Sequence, residues 1–161
     1  MSTSRTAENE QDIREQIVSA YRRIVDLGLT RGTAGNISCR LGDGMLITPG
    51  GATAENLTAE RLVATSMEGE FEGGIKPSSE WRMHAAIYQE VADARAIVHT
   101  HADYCVALAC CNRPIPAFHY MIAAFGGDDV PCTPYATFGG AELAANAAAC
   151  LKNRSGCLLG N

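Results

Sequence analysis

Apolar residues recur at three- and four-residue spacing from about Asn9 to Leu27, at Ile13, Ile17, Ala20, Tyr21, Ile24 and Leu27. That spacing predicts one helix with a single apolar stripe, and Gly28 is placed to end it. Residues 1–8 are polar and are expected to be disordered. Asn36 to Leu41 alternates as a strand does, Gly42-Asp43-Gly44 reads as a hairpin turn, and Met45-Leu46-Ile47-Thr48 is the return strand. Pro49-Gly50-Gly51 interrupts the sheet. Thr58 is placed to cap a short helix through Leu62, and Leu62 to Met67 reads as a further strand. Ser78 or Ser79 is the expected cap of a helix to about Val91, with Trp81, His84 or Ala85, Tyr88 and Val91 facing inward.

Beyond that, Arg95–Thr100 predicts a strand and Asp103–Cys111 a helix. Phe118–Ile122 fits either. Val130–Ala136 reads as an irregular strand with two prolines, Gly139-Gly140 precedes an alanine-rich helix to about Lys152, and Cys157–Asn161 reads as a strand. No internal repeat or linker divides residues 9–161, so one sheet covered by helices is expected. The early hairpin argues against a purely parallel sheet.

Composition narrows the function classes. With 161 residues there is length enough for one domain with a real core. A net charge of −5 argues against a general nucleic-acid binder. No apolar run approaches the roughly 20 residues that cross a bilayer, and no apolar leader opens the chain, so no membrane partner is expected. The cysteines (Cys39, Cys105, Cys110, Cys111, Cys132, Cys150 and Cys157) are odd in number, form no C-x-x-C pair and mostly sit among small apolar residues. This suits reduced thiols in a cytoplasm better than a disulfide framework.

Candidate chemistry centres on Ala96-Ile97-Val98-His99-Thr100-His101-Ala102-Asp103. Side chains two apart on a strand share a face about 7 Å apart along the backbone, so His99 and His101 can close on one metal ion. The competing reading is a pair of partly buried histidines with ordinary hydrogen bonds. Glu80, at a predicted helix start, is a candidate carboxylate base, its anion favoured by the helix dipole; a first-turn glutamate serving only helix stability is the alternative. His84 follows four residues later on the same helical face. Gly35-Asn36, Gly50-Gly51 and Ser78-Ser79 are places where backbone N–H groups and hydroxyls could meet a phosphate, although such turns and caps are common without a ligand.

Six stretches resemble the class II aldolase/adducin family, in its order: Gly32-Thr33-Ala34-Gly35-Asn36-Ile37-Ser38, Leu46-Ile47-Thr48-Pro49, Pro77-Ser78-Ser79-Glu80-Trp81, His99-Thr100-His101, His119-Tyr120-Met121-Ile122-Ala123-Ala124 and Pro134-Tyr135-Ala136-Thr137-Phe138-Gly139. The last two look most similar to the branch acting on L-fuculose 1-phosphate. The resemblance implies an α/β, three-layer α/β/α sandwich with a mostly antiparallel central sheet. It implies a homotetramer with active sites at subunit interfaces, and one Zn2+ per subunit. The implied reaction is zinc-dependent cleavage of a ketose 1-phosphate to dihydroxyacetone phosphate and an aldehyde such as L-lactaldehyde. His99 and His101 are then metal ligands, and Glu80 is base and possible ligand. Gly35, Asn36, Gly50, Gly51, Ser78 and Ser79 surround the phosphate. Tyr120 serves the aldehyde-derived oxygen in a neighbouring subunit's site, and Phe138 lines the aldehyde end. His84 is left as a core or supporting residue, and His119 is set aside.

Two departures from the family pattern stand out. Gly50-Gly51 replaces Thr-Gly, which removes a hydroxyl but keeps backbone donors. The third zinc histidine and the C-terminal helices fall beyond Asn161, so the domain is expected to lack its C-terminal part, with weak metal binding and little activity for this exact polypeptide. Alternatives within the family are a 5-deoxy- or methylthio-pentulose-1-phosphate aldolase or dehydratase and a pentulose-phosphate 4-epimerase. Outside enzymes, the alternative is an adducin-like interaction module.

Overall fold

The computed structural model describes the backbone of residues 2–161, with side chains from Glu10 onward. Its first helix, α1 (Ser2–Asp26), begins well before the Asn9 start expected from periodicity. Ile17, Val18, Tyr21 and Ile24 form its buried stripe, but Leu27 lies past the helix end and is 57% exposed. Leu29 packs against the core instead, after the chain turns at Gly28 with φ +69°.

The hairpin forms as the turn residues dictate: β1 (Asn36–Leu41) and β2 (Gly44–Ile47) pair antiparallel, with Ser38 opposite Ile47 and Leu41 opposite Gly44. A short β3 (Val63–Thr65) extends β2, and β4 (Ala96–His99) pairs antiparallel with the far side of β1. The strand order is β3-β2-β1-β4. Ile37 and Leu46 face α1, closing one core layer with Leu57 and Leu62. Met45, Ile47 and Val63 face the other way, against Ala85 and Tyr88 of α2 (Trp81–Glu90).

Helix α2 is buried on both sides. Its outer face, Met83 and Ile87, meets Leu143, Ala144, Ala147 and Ala148 of α4 (Ala141–Leu151). Alanines line the face of α4 that meets α2, while His84 and Tyr88 are buried on the sheet side of α2. The Arg40 guanidinium holds the C-terminal end of α2: Nη2 donates to Tyr88 O at 2.7 Å, Nε to Ala94 O at 3.1 Å, and the group lies 4.8 Å over the Tyr88 ring. The layers are therefore α1, an antiparallel sheet, and α2 with α4, as the α/β/α expectation has it.

Four expected elements differ. The Thr58–Leu62 helix is a single 3-10 turn over Ala59–Arg61, and Tyr120–Phe125 is also 3-10. Residues 130–136 and 157–161 make only isolated bridges, Ile115 to Val130 and Cys132 to Leu158. Pro131 and Pro134 each remove a ladder donor, which prevents a continuous strand. Helix α3 spans Asp103–Cys110. All seven cysteines are free.

Candidate active site

Several loops and the end of β4 line one cleft of about 560 Å³. The loop after α1 is shaped by Gly35, whose φ is +78°. A Cβ there would lie 2.8 Å from Thr30 Oγ1 and 2.9 Å from His99 O, so only glycine lets the chain pass so near β4. A bridge between Pro49 and Pro77 sets Gly50-Gly51 beside Ser78-Ser79. Arg82 donates to Gly139 O at 2.9 Å, holding the Phe138-Gly139 loop at the cleft mouth.

Glu80 is the N-cap residue of α2 rather than a first-turn residue, with φ −96° and ψ 12°. This is the sparsely populated bridge region between helix and strand. Ser78, expected as the cap, instead accepts the Glu80 N–H on its hydroxyl at 3.3 Å, while Trp81 N–H bonds Ser78 O at 3.0 Å. The Glu80 carboxylate makes no cap bond and turns to the sheet. Asn36 Nδ2 donates to its Oε2 at 2.8 Å, and His99 Nε2 lies 3.4 Å from the same oxygen.

His99 ends β4 and His101 lies just beyond the strand, with its N–H bonded to Leu29 O at 2.9 Å. The shared face expected from alternation survives this: the two Nε2 atoms are 3.0 Å apart. Ligands about 2.0–2.1 Å from a tetrahedral zinc stand roughly 3.3 Å from one another, so the pair is spaced as two such ligands are. Among the described residues no group of three or more His, Cys, Asp or Glu is arranged to hold a metal ion, so Glu80 beside the pair falls short of a closed set. Burial holds the His99 imidazole below its ordinary pKa, with Glu80 pulling the other way and His101 adding to the fall.

Gly35, Asn36, Gly50, Gly51, Ser78, Ser79 and Phe138 all line the cleft with Glu80, His99 and His101. Two of the expected backbone donors are already engaged. Gly50 N–H bonds Lys76 O at 3.2 Å and Ser78 N–H bonds Thr48 O at 3.0 Å. Tyr120 is not among the lining residues; it is 81% exposed, with its ring 4.5 Å from that of His119. Phe138 lines the cleft while 71% exposed.

Behind the cleft, the sequence reading leaves His84 as a core or supporting residue but does not show the row it belongs to. His84 is fully buried, its Nε2 2.5 Å from Asn36 Oδ1 and its Nδ1 2.7 Å from Ser38 Oγ. Ser38 Oγ is in turn 2.9 Å from the Tyr88 hydroxyl. Burial, helped by His99, takes His84 down to about 3, and burial pushes Tyr88 up to about 12, so both are neutral near pH 7. The available signal was the four-residue spacing of Glu80, His84 and Tyr88 on one helix face, together with Asn36 and Ser38 on one face of β1.

Residues 15–161 match the family model for the class II aldolase and adducin N-terminal domain. The chain is 54% identical over 144 residues to an L-fuculose phosphate aldolase of Escherichia coli O6:H1, covering 89% of this chain and 67% of that protein. It is 51% identical over 147 residues to a 5-methylthioribulose-1-phosphate/5-deoxyribulose-1-phosphate aldolase of Rhodospirillum rubrum, covering 91% and 66% respectively. Among solved structures, an L-fuculose 1-phosphate aldolase superposes with TM-score 0.87 at 40% identity, covering 93% of this chain and 72% of that one. The enzyme of that name from Thermus thermophilus gives 0.81 at 29% identity, covering 92% and 74%. The chain thus spans about two thirds of the length of the curated relatives it matches.

Proposed function

This chain belongs to the class II aldolase and adducin N-terminal domain family, and from that premise we propose that it serves aldol cleavage of a ketose 1-phosphate of the L-fuculose 1-phosphate type. The products are dihydroxyacetone phosphate and an aldehyde such as L-lactaldehyde. One observation carries the reading: a carboxylate, an amide and two imidazoles meet at the end of β4, beside loops suited to a phosphate.

His99 and His101, with Glu80 alongside, would hold a zinc ion, which when bound would supply Lewis acidity at the hydroxy-ketone end of the substrate. The protein's own residues do the rest. Gly51 and Ser79, with the Gly35-Asn36 turn, Gly50 and the Ser78 hydroxyl around them, hold the phosphate. Glu80 moves the proton at the ketone-derived carbon. Its Oε2 is kept in place by the Asn36 amide, which leaves Oε1 as the oxygen to face the substrate. Tyr120 serves the aldehyde oxygen from a neighbouring copy in a homotetramer, and its high exposure suits action outside its own chain. Phe138 borders the aldehyde end. No described helix is long and apolar enough to cross a membrane, and the free cysteines suit a cytoplasmic protein.

A second reading has a specific observation behind it. The 51% identity to the Rhodospirillum rubrum protein favours cleavage of 5-methylthio- or 5-deoxyribulose 1-phosphate. The two substrates differ at the aldehyde end and share the metal and phosphate ends.

The deciding experiment measures dihydroxyacetone phosphate released from L-fuculose 1-phosphate and from 5-methylthioribulose 1-phosphate by zinc-loaded protein, with zinc content determined after dialysis. Release should fall roughly 10²–10⁴-fold in Glu80→Gln, the range of a lost general base. Release that Glu80→Gln leaves unchanged refutes the assignment. Zinc bound without release from either sugar points to an incomplete site in this polypeptide or to the non-catalytic, adducin-like module, two outcomes that activity of the same residues in a longer chain separates.

A further inference from the structure

We propose that His84 is a positioning residue for the cleft: its Nε2–H fixes the amide of Asn36, and Asn36 so oriented holds the Glu80 carboxylate. The functional part of this rests on Glu80 being the base; the structural part does not.

Hydrogen-bond direction follows from the carboxylate outward. An ionised Glu80 can only accept, so Asn36 must turn its Nδ2 toward Oε2, where the contact is 2.8 Å. Asn36 Oδ1 then faces His84 Nε2. An amide oxygen only accepts, so Nε2 carries the hydrogen. A neutral imidazole has one N–H, which leaves Nδ1 bare. Ser38 Oγ–H therefore donates to Nδ1 over 2.7 Å, and the Tyr88 hydroxyl donates to Ser38 Oγ over 2.9 Å. The opposite amide orientation would set the Asn36 oxygen against the Glu80 carboxylate, acceptor against acceptor. Every donor in the row thus points toward Glu80.

Neither His84, Ser38 nor Tyr88 lines the cleft. They act only through Asn36, which does line it. His84 sits four residues after Glu80 on α2, while Asn36 and Ser38 lie on one face of β1. The row therefore joins helix to strand directly behind the carboxylate.

Two substitutions at one position separate positioning from bulk stability. A glutamine amide nitrogen can stand where Nε2 stood and still donate to Asn36. An asparagine amide reaches only the Nδ1 position, keeping Ser38 and losing Asn36. In zinc-loaded protein, His84→Asn should lower kcat for dihydroxyacetone phosphate release roughly tenfold to a hundredfold, with KM little changed, as expected for a small misplacement of a reacting group. His84→Gln should recover most of that loss at a similar melting temperature. Equal kcat in parent, His84→Asn and His84→Gln overturns the proposal, as does a loss that follows melting temperature alone.

A second readout needs no turnover. In the whole chain with 15N-labelled histidine, His84 should show a protonated Nε2 and a bare Nδ1. Glu80→Ala removes the acceptor that orients Asn36, and the His84 signals should move toward a tautomer mixture. A protonated Nδ1 in the parent, or signals unmoved in Glu80→Ala, overturns the proposal. If Glu80→Gln retains full activity while these signals behave as described, the proposed function fails and the positioning network stands.

Discussion

Removing the Ser38 hydroxyl should cost far more than one hydrogen bond. Ser38 is fully buried and joins two groups, so Ser38→Ala deletes two contacts and strands both partners. The Tyr88 hydroxyl loses its acceptor. His84 Nδ1 loses its donor, and the ring cannot turn to find another without abandoning Asn36. Each hydrogen bond is worth about 1 kcal/mol net, and each stranded buried polar group costs about 1–3 kcal/mol. With partial relaxation, Ser38→Ala should lose about 3–4 kcal/mol, a large share of the roughly 5–15 kcal/mol typical of a domain. Tyr88→Phe removes the terminal donor and strands no donor, because Ser38 still donates to His84. It should lose about 1 kcal/mol. In the Tyr88→Phe background, Ser38→Ala should become cheaper by about 1–2 kcal/mol, since no tyrosine hydroxyl is left without an acceptor. Urea unfolding at pH 7, with equal m-values across the four proteins, measures all three quantities. If Ser38→Ala fell within 1 kcal/mol of the parent, or Tyr88→Phe cost as much as Ser38→Ala, the direction assigned to the row would be wrong.

Other outcomes follow from the same structure. His84 is depressed to about 3 in the folded chain against an ordinary value of 6.5, so its contribution is complete above about pH 6.5 and is lost as pH falls toward 3. Its surroundings, Ser38, Tyr88, Asn36 and the His99 imidazole, offer no anion in contact with it, and urea midpoints in the parent should drop more steeply over that window than in His84→Gln. Gly35→Ala should lose 2 kcal/mol or more, roughly, and weaken zinc binding as the His99 carbonyl is displaced, measured by unfolding and by metal titration. Arg40→Met removes charged donors from the carbonyls that end α2 and should lose about 2 kcal/mol by thermal unfolding, with little change in zinc affinity.

Much of this was readable from side-chain periodicity, where periodicity is the cause of the structure. Ile17, Tyr21 and Ile24 are buried because a 3.6-residue repeat sets them on one face, and Gly42-Asp43 turns because glycine accepts a positive φ. His99 and His101 share a face for the reason alternation gives, although His101 stands outside the strand. Elsewhere a local pattern was overruled. Residues 130–136 read as an irregular strand, but the two prolines leave only single bridges. Ser78 has the chemistry of a cap, yet it serves the residue before the helix. His84 is a plain inward position on α2 until β1 is placed across from it, because Asn36 and Ser38 come from 48 and 46 residues away. Tyr120 is exposed and stands outside the cleft, so this chain's own packing gives its motif no place at the site.

Helix α2 is tied to β1 at both ends: Asn36 grips the carboxylate at its start, and Arg40 grips the carbonyls at its finish. Neither element can open by fraying, since the first and last turns of the helix are the parts held to the strand. Amide exchange in β1 and α2 should therefore proceed through one cooperative opening, with similar free energies along both, while the α3 turn and the 3-10 segment at residues 120–125 exchange through smaller, separate events. A carboxylate mounted on such a unit keeps its place until that whole unit comes apart.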